Sequence, residues 1–101
     1  MNTNKVNPSL LEYITMEEAC MVTGYKNTHL RDLGTKADIP RIGKPLIGSF
    51  FRDAFFFFIW YRDKEMKNIR ANETGKMREY RINQEWKRSY DLHKEGSSTV
   101  Y

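Results

Sequence analysis

Apolar positions along this chain come in short clusters divided by glycine, proline and polar turns, and the spacing within each cluster predicts its structure. Residues 1–8 hold little apolar surface and read as a loose arm. Leu10, Leu11, Tyr13 and Ile14 open the packed part. Thr15 stands three positions before Glu18 in T-M-E-E, so the hydroxyl of one and the carboxylate of the other can cap each other's backbone amides and start a helix. Met16, Ala19, Cys20 and Val22 give that helix an apolar side, and Glu17 and Glu18 suit its positive end. Gly24 ends it, because glycine accepts the left-handed backbone that redirects a chain.

A second short helix is expected to start after Lys26 or after Asn27, with Asn27 as its candidate cap, and to run through Leu33 to Gly34. Leu30 and Leu33 share its inward face, and Tyr25 seals the turn against the first helix. Two short helices joined by a glycine turn make a helix-turn-helix unit, which leaves one side of the second helix open. Asp38-Ile39-Pro40 closes the helical region. Arg41-Ile42 and Leu46-Ile47 then flank G-K-P, which reads as a short, irregular hairpin or wing, since Pro45 donates no amide proton.

The run from Phe50 to Tyr61 is the most apolar stretch, and strand competes with helix there. Helix over 49–71 is the expectation, because Met66, Ile69 and the intervening charges continue a helical spacing. Residues 72–76, with Gly75, interrupt the pattern. Met77, Tyr80, Gln84, Trp86 and Tyr90 mark a final helix, with fraying expected from Gly96 onward. The fold class is thus mainly α: a small winged helix-turn-helix with a short β-hairpin wing and a C-terminal helical extension. The expected divisions are an arm over 1–12, the winged domain over 13–61 and the extension over 62–101.

Length and charge narrow the chemistry. At 101 residues, one compact domain with an accessory helix is the starting expectation. The apolar run is bracketed by Asp53 and Arg62 and falls far short of the roughly 20 residues that cross a bilayer. No cationic segment followed by a long apolar one opens the chain, so a cytoplasmic location is expected. Cys20 is the single cysteine, which rules out an intrachain disulfide and zinc sites needing two thiolates, and its helical pattern suits packing. The net charge of +4 favours an anionic polymer as partner. The basic excess lies mainly after Tyr61, mixed with enough acid to serve equally as a solvated face.

I-T-M-E-E-A at Ile14 to Ala19, the turn with Leu30 and Leu33, and I-P-R-I-G-K at Ile39 to Lys44 together resemble the winged helix-turn-helix domains of phage-type excisionases and of MerR-like regulators. The resemblance covers about half the chain. It implies that the threonine caps the first helix, that the alanine permits a close helix crossing, and that the I-P pair leads from a recognition helix into the wing. The chain departs from that pattern at Ala37, where a glycine is common, at Asp32, where a basic residue is frequent, and after Gly43.

Double-stranded DNA is the expected partner. Lys26, Asn27, Thr28, His29 and Arg31 offer ammonium, amide, hydroxyl, imidazole and guanidinium groups at the exposed start and middle of the second helix, suited to base edges or phosphates. Arg41 and Lys44 flank the wing turn and add two cations for the backbone. Each has a plainer reading as a solvated surface residue, and Asp32 opposes phosphate unless Lys36 pairs with it. The apolar excess of Phe55, Phe56, Phe57, Phe58, Ile59 and Trp60 suggests a homodimer, or else burial against the helix around Tyr80, Trp86 and Tyr90. No phosphate loop, histidine cluster or paired carboxylates argue for catalysis, a cofactor or a metal. The function expected is sequence-specific DNA binding, as an excisionase-like architectural factor working with a recombinase or integrase, or as a transcriptional regulator. A protein-interaction or assembly factor of the same fold that binds no DNA is the alternative, and a membrane partner is not expected.

Overall fold

The computed structural model describes residues 12–41 and 49–99. Among them are four helices and one two-stranded antiparallel sheet, in the order β1 (Tyr13–Ile14), α1 (Met16–Thr23), α2 (Asn27–Lys36), β2 (Phe50–Phe51), α3 (Arg52–Met66) and α4 (Gly75–Thr99). The protein is mainly helical, as its pattern predicts. The chain divides into two compact units, Met1–Phe56 and Phe57–Tyr101.

In the first unit the capping box forms as expected: the Glu18 amide donates to Thr15 Oγ1 at 3.1 Å, and the Thr15 amide donates to Glu18 Oε1 at 3.2 Å. Gly24 ends α1 at φ 77°, and its amide donates to the Cys20 carbonyl. Ala19 is the only fully buried residue of α1; Cys20 is half-buried, and Val22 faces solvent rather than joining the apolar side its spacing suggests. Helix α2 starts after Lys26, one residue earlier than a cap at Asn27 requires. Lys26 is the flanking residue, and it provides no side-chain cap.

Helix α2 also runs past Gly34 to Lys36, because Gly34 serves close packing and not termination. A β-carbon at Gly34 would lie 2.6 Å from Arg41 Nη2 and 2.8 Å from Phe50 Cε1. Termination falls instead to Asp38, at φ 55°. The Ile39 amide returns to the Gly34 carbonyl at 3.0 Å and the Asp38 amide to the Thr35 carbonyl at 3.2 Å, the paired bonds of a Schellman ending. Ala37, where the resemblance expects a glycine, has an ordinary right-handed backbone at φ −88°, and the left-handed position belongs to Asp38, a side chain that tolerates it.

Phe50–Phe51 forms a strand and not the start of a helix, so α3 is shorter than residues 49–71 at both ends. Ile14 pairs with Phe50 and Tyr13 with Phe51, while Arg41 forms an antiparallel bridge to Phe50. Arg41 thus finds its strand partner at Phe50, beyond Leu46-Ile47. The rest of the expected wing, residues 42–48 with Lys44, lies outside the described residues, as do Leu10, Leu11 and the N-terminal arm. Phe50 is central: it is fully buried, stacks on Phe55 at 5.1 Å and joins a core of Ile14, Ala19, Leu30, Leu33 and Ile39. Arg52 ties the start of α3 to β1 through the Tyr13 carbonyl at 3.0 Å.

In the second unit Phe58 meets Trp86 edge-on at 5.4 Å, and Phe57 lies 5.4 Å from Tyr90. Phe58, Ile82 and Trp86 are fully buried. The intervening segment is held by Arg81, which bonds Glu65 Oε1 at 2.8 Å, Glu73 Oε2 at 2.7 Å and the Asn68 carbonyl at 3.2 Å. Helix α4 continues through Gly96 to Thr99, past the expected point of fraying. One glycine costs a helix only about 1 kcal/mol, too little to end it.

Candidate nucleic-acid interface

Leu30, Leu33 and Gly34 bury one side of α2, and the periodicity of 3.6 residues therefore turns Thr28, Asp32 and Thr35 directly outward. His29 and Lys36 flank them on one side and Arg31 on the other. All six are exposed, as are Lys26 and Asn27 at the start of the helix. The structure thus brings the five α2 candidates Lys26, Asn27, Thr28, His29 and Arg31 onto one end of one helix. It adds Thr35 and Lys36, which the same periodicity counted one turn further would have included.

The turn leading into this helix is fixed locally. Thr23 Oγ1 donates to the Ala19 carbonyl at 2.7 Å and accepts the Tyr25 amide at 3.1 Å, so the chain leaves α1 along a defined path. The Tyr25 ring then meets His29 edge-on at 4.8 Å. Gly24, Tyr25, Lys26, Thr28, His29 and Asp32 line an open groove of about 520 Å³ along the N-terminal end of α2. Asn27 is exposed in the first turn, and the flanking Lys26 leaves the first amides of the helix without a side-chain cap.

Charge on this face is mixed. Asp32, at its centre, pairs with Lys36 at 3.1 Å on the surface, which partly offsets the repulsion a lone carboxylate would exert on phosphate. Arg41 is placed differently from its expected role. Its Nη2 donates to the Arg31 carbonyl at 3.1 Å and to Thr35 Oγ1 at 3.3 Å, and its guanidinium lies 5.1 Å from the centre of the Phe50 ring. Arg41 therefore braces the C-terminal half of α2. The feature that sequence reasoning missed is this brace and the glycine that makes room for it; its one signal was a glycine within a helical pattern.

Comparison of the chain with protein-family models, with curated proteins and with solved structures finds no match. Among the described residues no group of three or more histidines, cysteines or acids is placed to hold a metal. No helix among them is long and apolar enough to cross a membrane.

Proposed function

We propose that this chain binds double-stranded DNA through a winged helix-turn-helix, with α2 as the recognition helix. The observation that carries the reading is the outward face of α2, where Thr28, His29, Arg31, Asp32, Thr35 and Lys36 present hydrogen-bonding groups without one apolar side chain. Buried Leu30 and Leu33 fix the helix from behind. A single helix presented in this way fits the major groove, and its mixture of donors and acceptors suits base edges. The +4 charge of the whole chain supplies general attraction to the duplex. The role that follows is sequence-specific recognition, by an excisionase-like architectural factor acting with a recombinase or integrase, or by a transcriptional regulator. Bending of a bound duplex distinguishes the first from the second.

Arg31→Ala tests the reading. It is expected to lower affinity for a selected site by roughly 1 to 3 kcal/mol while changing affinity for random duplex less. A folded variant, checked by circular dichroism, that binds both duplexes as the parent does removes α2 from the reading surface. The alternative of a protein-docking module draws on α1, where Met21 is 79% and Val22 is 58% exposed. Under that alternative Met21→Ser abolishes partner capture, and no duplex is retained even at low salt.

A further inference from the structure

We propose that a second copy of this chain docks on the outward face of α3, with the two helices antiparallel about a twofold axis. Phe55 and Phe58 are fully buried, with Ala54, Tyr61 and Glu65 on the same side of the helix, so these aromatics are not available to a partner. The opposite stripe runs Asp53, Phe56, Trp60 and Lys64, spaced by three, four and four residues, the repeat that keeps side chains on one helical face. Phe56 is 40% and Trp60 55% exposed, although both are large and apolar. Ile59 and Phe57, half-buried, form the margins.

Charge along the stripe chooses the occupant. Its acid, Asp53, stands in the first turn and its base, Lys64, in the last turn, and neither has an ion-pair partner among the described residues. Antiparallel pairing with Phe56 opposite the Trp60 of the second copy sets Asp53 opposite Lys64 twice, once at each end. Parallel pairing would set acid on acid and base on base. The stripe is therefore complementary to itself in one orientation, as a twofold interface requires. Lys64 already lies 5.0 Å from the centre of the Trp60 ring, so its charge borders the aromatic centre of that interface. A helix of 15 residues is about 22 Å long. An interface of that length is at the small end for stable association, so the dimer is reversible and dissociates on dilution.

This inference does not depend on DNA binding, and its test contains no DNA. Sedimentation of the full chain over a wide concentration range is expected to show a monomer–dimer equilibrium. Trp60→Glu raises the dissociation constant by about a hundredfold, the loss of a central aromatic anchor. Asp53→Lys and Lys64→Asp each raise it by about tenfold, because each makes both end pairs repulsive. An equimolar mixture of those two variants recovers association, since in the mixed dimer both end pairs are again of opposite charge. Tyr80→Glu, on the exposed side of α4, leaves association unchanged. Thermal melting establishes that each variant is folded. A parent chain that stays monomeric throughout overturns the proposal. So does a dimer indifferent to Trp60→Glu, single charge variants that associate like the parent, a mixture that does not recover, or loss of association in Tyr80→Glu.

Discussion

Two glycines illustrate how one residue type answers two different physical demands. Gly24 has nothing within 4 Å of a built β-carbon, and only its φ of 77° resists a side chain. Gly34 has an ordinary helical backbone, and its constraint is space: Phe50 and Arg41 occupy the volume. Gly24→Ala is expected to cost about 1 kcal/mol, the steric penalty of the left-handed region. Gly34→Ala is expected to cost roughly 1 to 3 kcal/mol as an overpacking change. It also displaces the Arg41 brace, so hydrogen exchange should quicken in α2 in this variant and not in Gly24→Ala. Urea unfolding of both variants checks the order, and equal losses would mean that Phe50 and Arg41 yield without cost.

Asp32 supplies a second test at the same scale. It stands at the centre of the outward face of α2 and pairs only across the surface with Lys36. If α2 is the recognition helix as proposed, Asp32→Ala deletes a negative charge from the reading surface and releases a lysine. Affinity for random duplex should then rise severalfold while discrimination between duplexes falls, because a carboxylate can accept from the cytosine amino group and an alanine cannot. Anisotropy titrations against a selected and a random duplex check both changes. Unchanged discrimination would mean that Asp32 does not approach bases.

Among the elements, the junction between α3 and α4 owes its order to charge more than to apolar burial. Arg81 joins Glu65 from α3 with Glu73 and the Asn68 carbonyl from the junction, and Arg78 adds an ion pair to Glu73 at 3.5 Å. The bonds from Arg81, set against the cost of burial, hold the Glu73 carboxyl at about 2 and lower that of Glu65 as well. A carboxylate that is more acidic in the folded chain stabilises it above the unfolded value near 4.5, and loses that contribution as pH falls from there toward 2. Thermal stability should accordingly be flat near neutrality and fall through that window. Glu73→Gln should be less stable than the parent at pH 7, with a shallower acid decline. Melting curves from pH 7 to pH 2 test this, and parallel declines in parent and variant would remove Glu73 from the linkage.

For the whole molecule, the proposed DNA binding carries a salt dependence set by how many lysines and arginines meet phosphate. Each phosphate contact made by a lysine or arginine adds about 0.9 to the slope of log affinity against log salt. Arg41, engaged with α2 and Phe50, is not expected to add a full unit. Lys44→Ala should weaken selected and random duplexes alike and reduce the slope by about 0.9. A salt series on both variants, Lys44→Ala and Arg41→Ala, separates a phosphate contact from a brace. Loss of slope in Arg41→Ala but not in Lys44→Ala would reverse the two roles.

The sequence by itself determined what depends on neighbours within a few residues: the Thr15–Glu18 cap, the Gly24 turn, the inward pair Leu30 and Leu33, and the polar outward face of α2. These are legible because a cap, a left-handed turn and a helical face are set by bonds and periodicities spanning no more than about a turn. Only the tertiary structure decided that Phe50–Phe51 is a strand and Phe55 part of a helix, since nothing in a run of phenylalanines indicates the distant strand Tyr13–Ile14 that pairs with it. It also decided that Gly34 continues a helix, because the atoms filling its missing side chain come from Arg41 and Phe50. The division of the aromatic run into buried Phe55 and Phe58 and exposed Phe56 and Trp60 was decided in the same way. Within the unbroken apolar run 54–61 no polar residue marks an outward side, and which aromatics are buried is set by whatever packs against the helix.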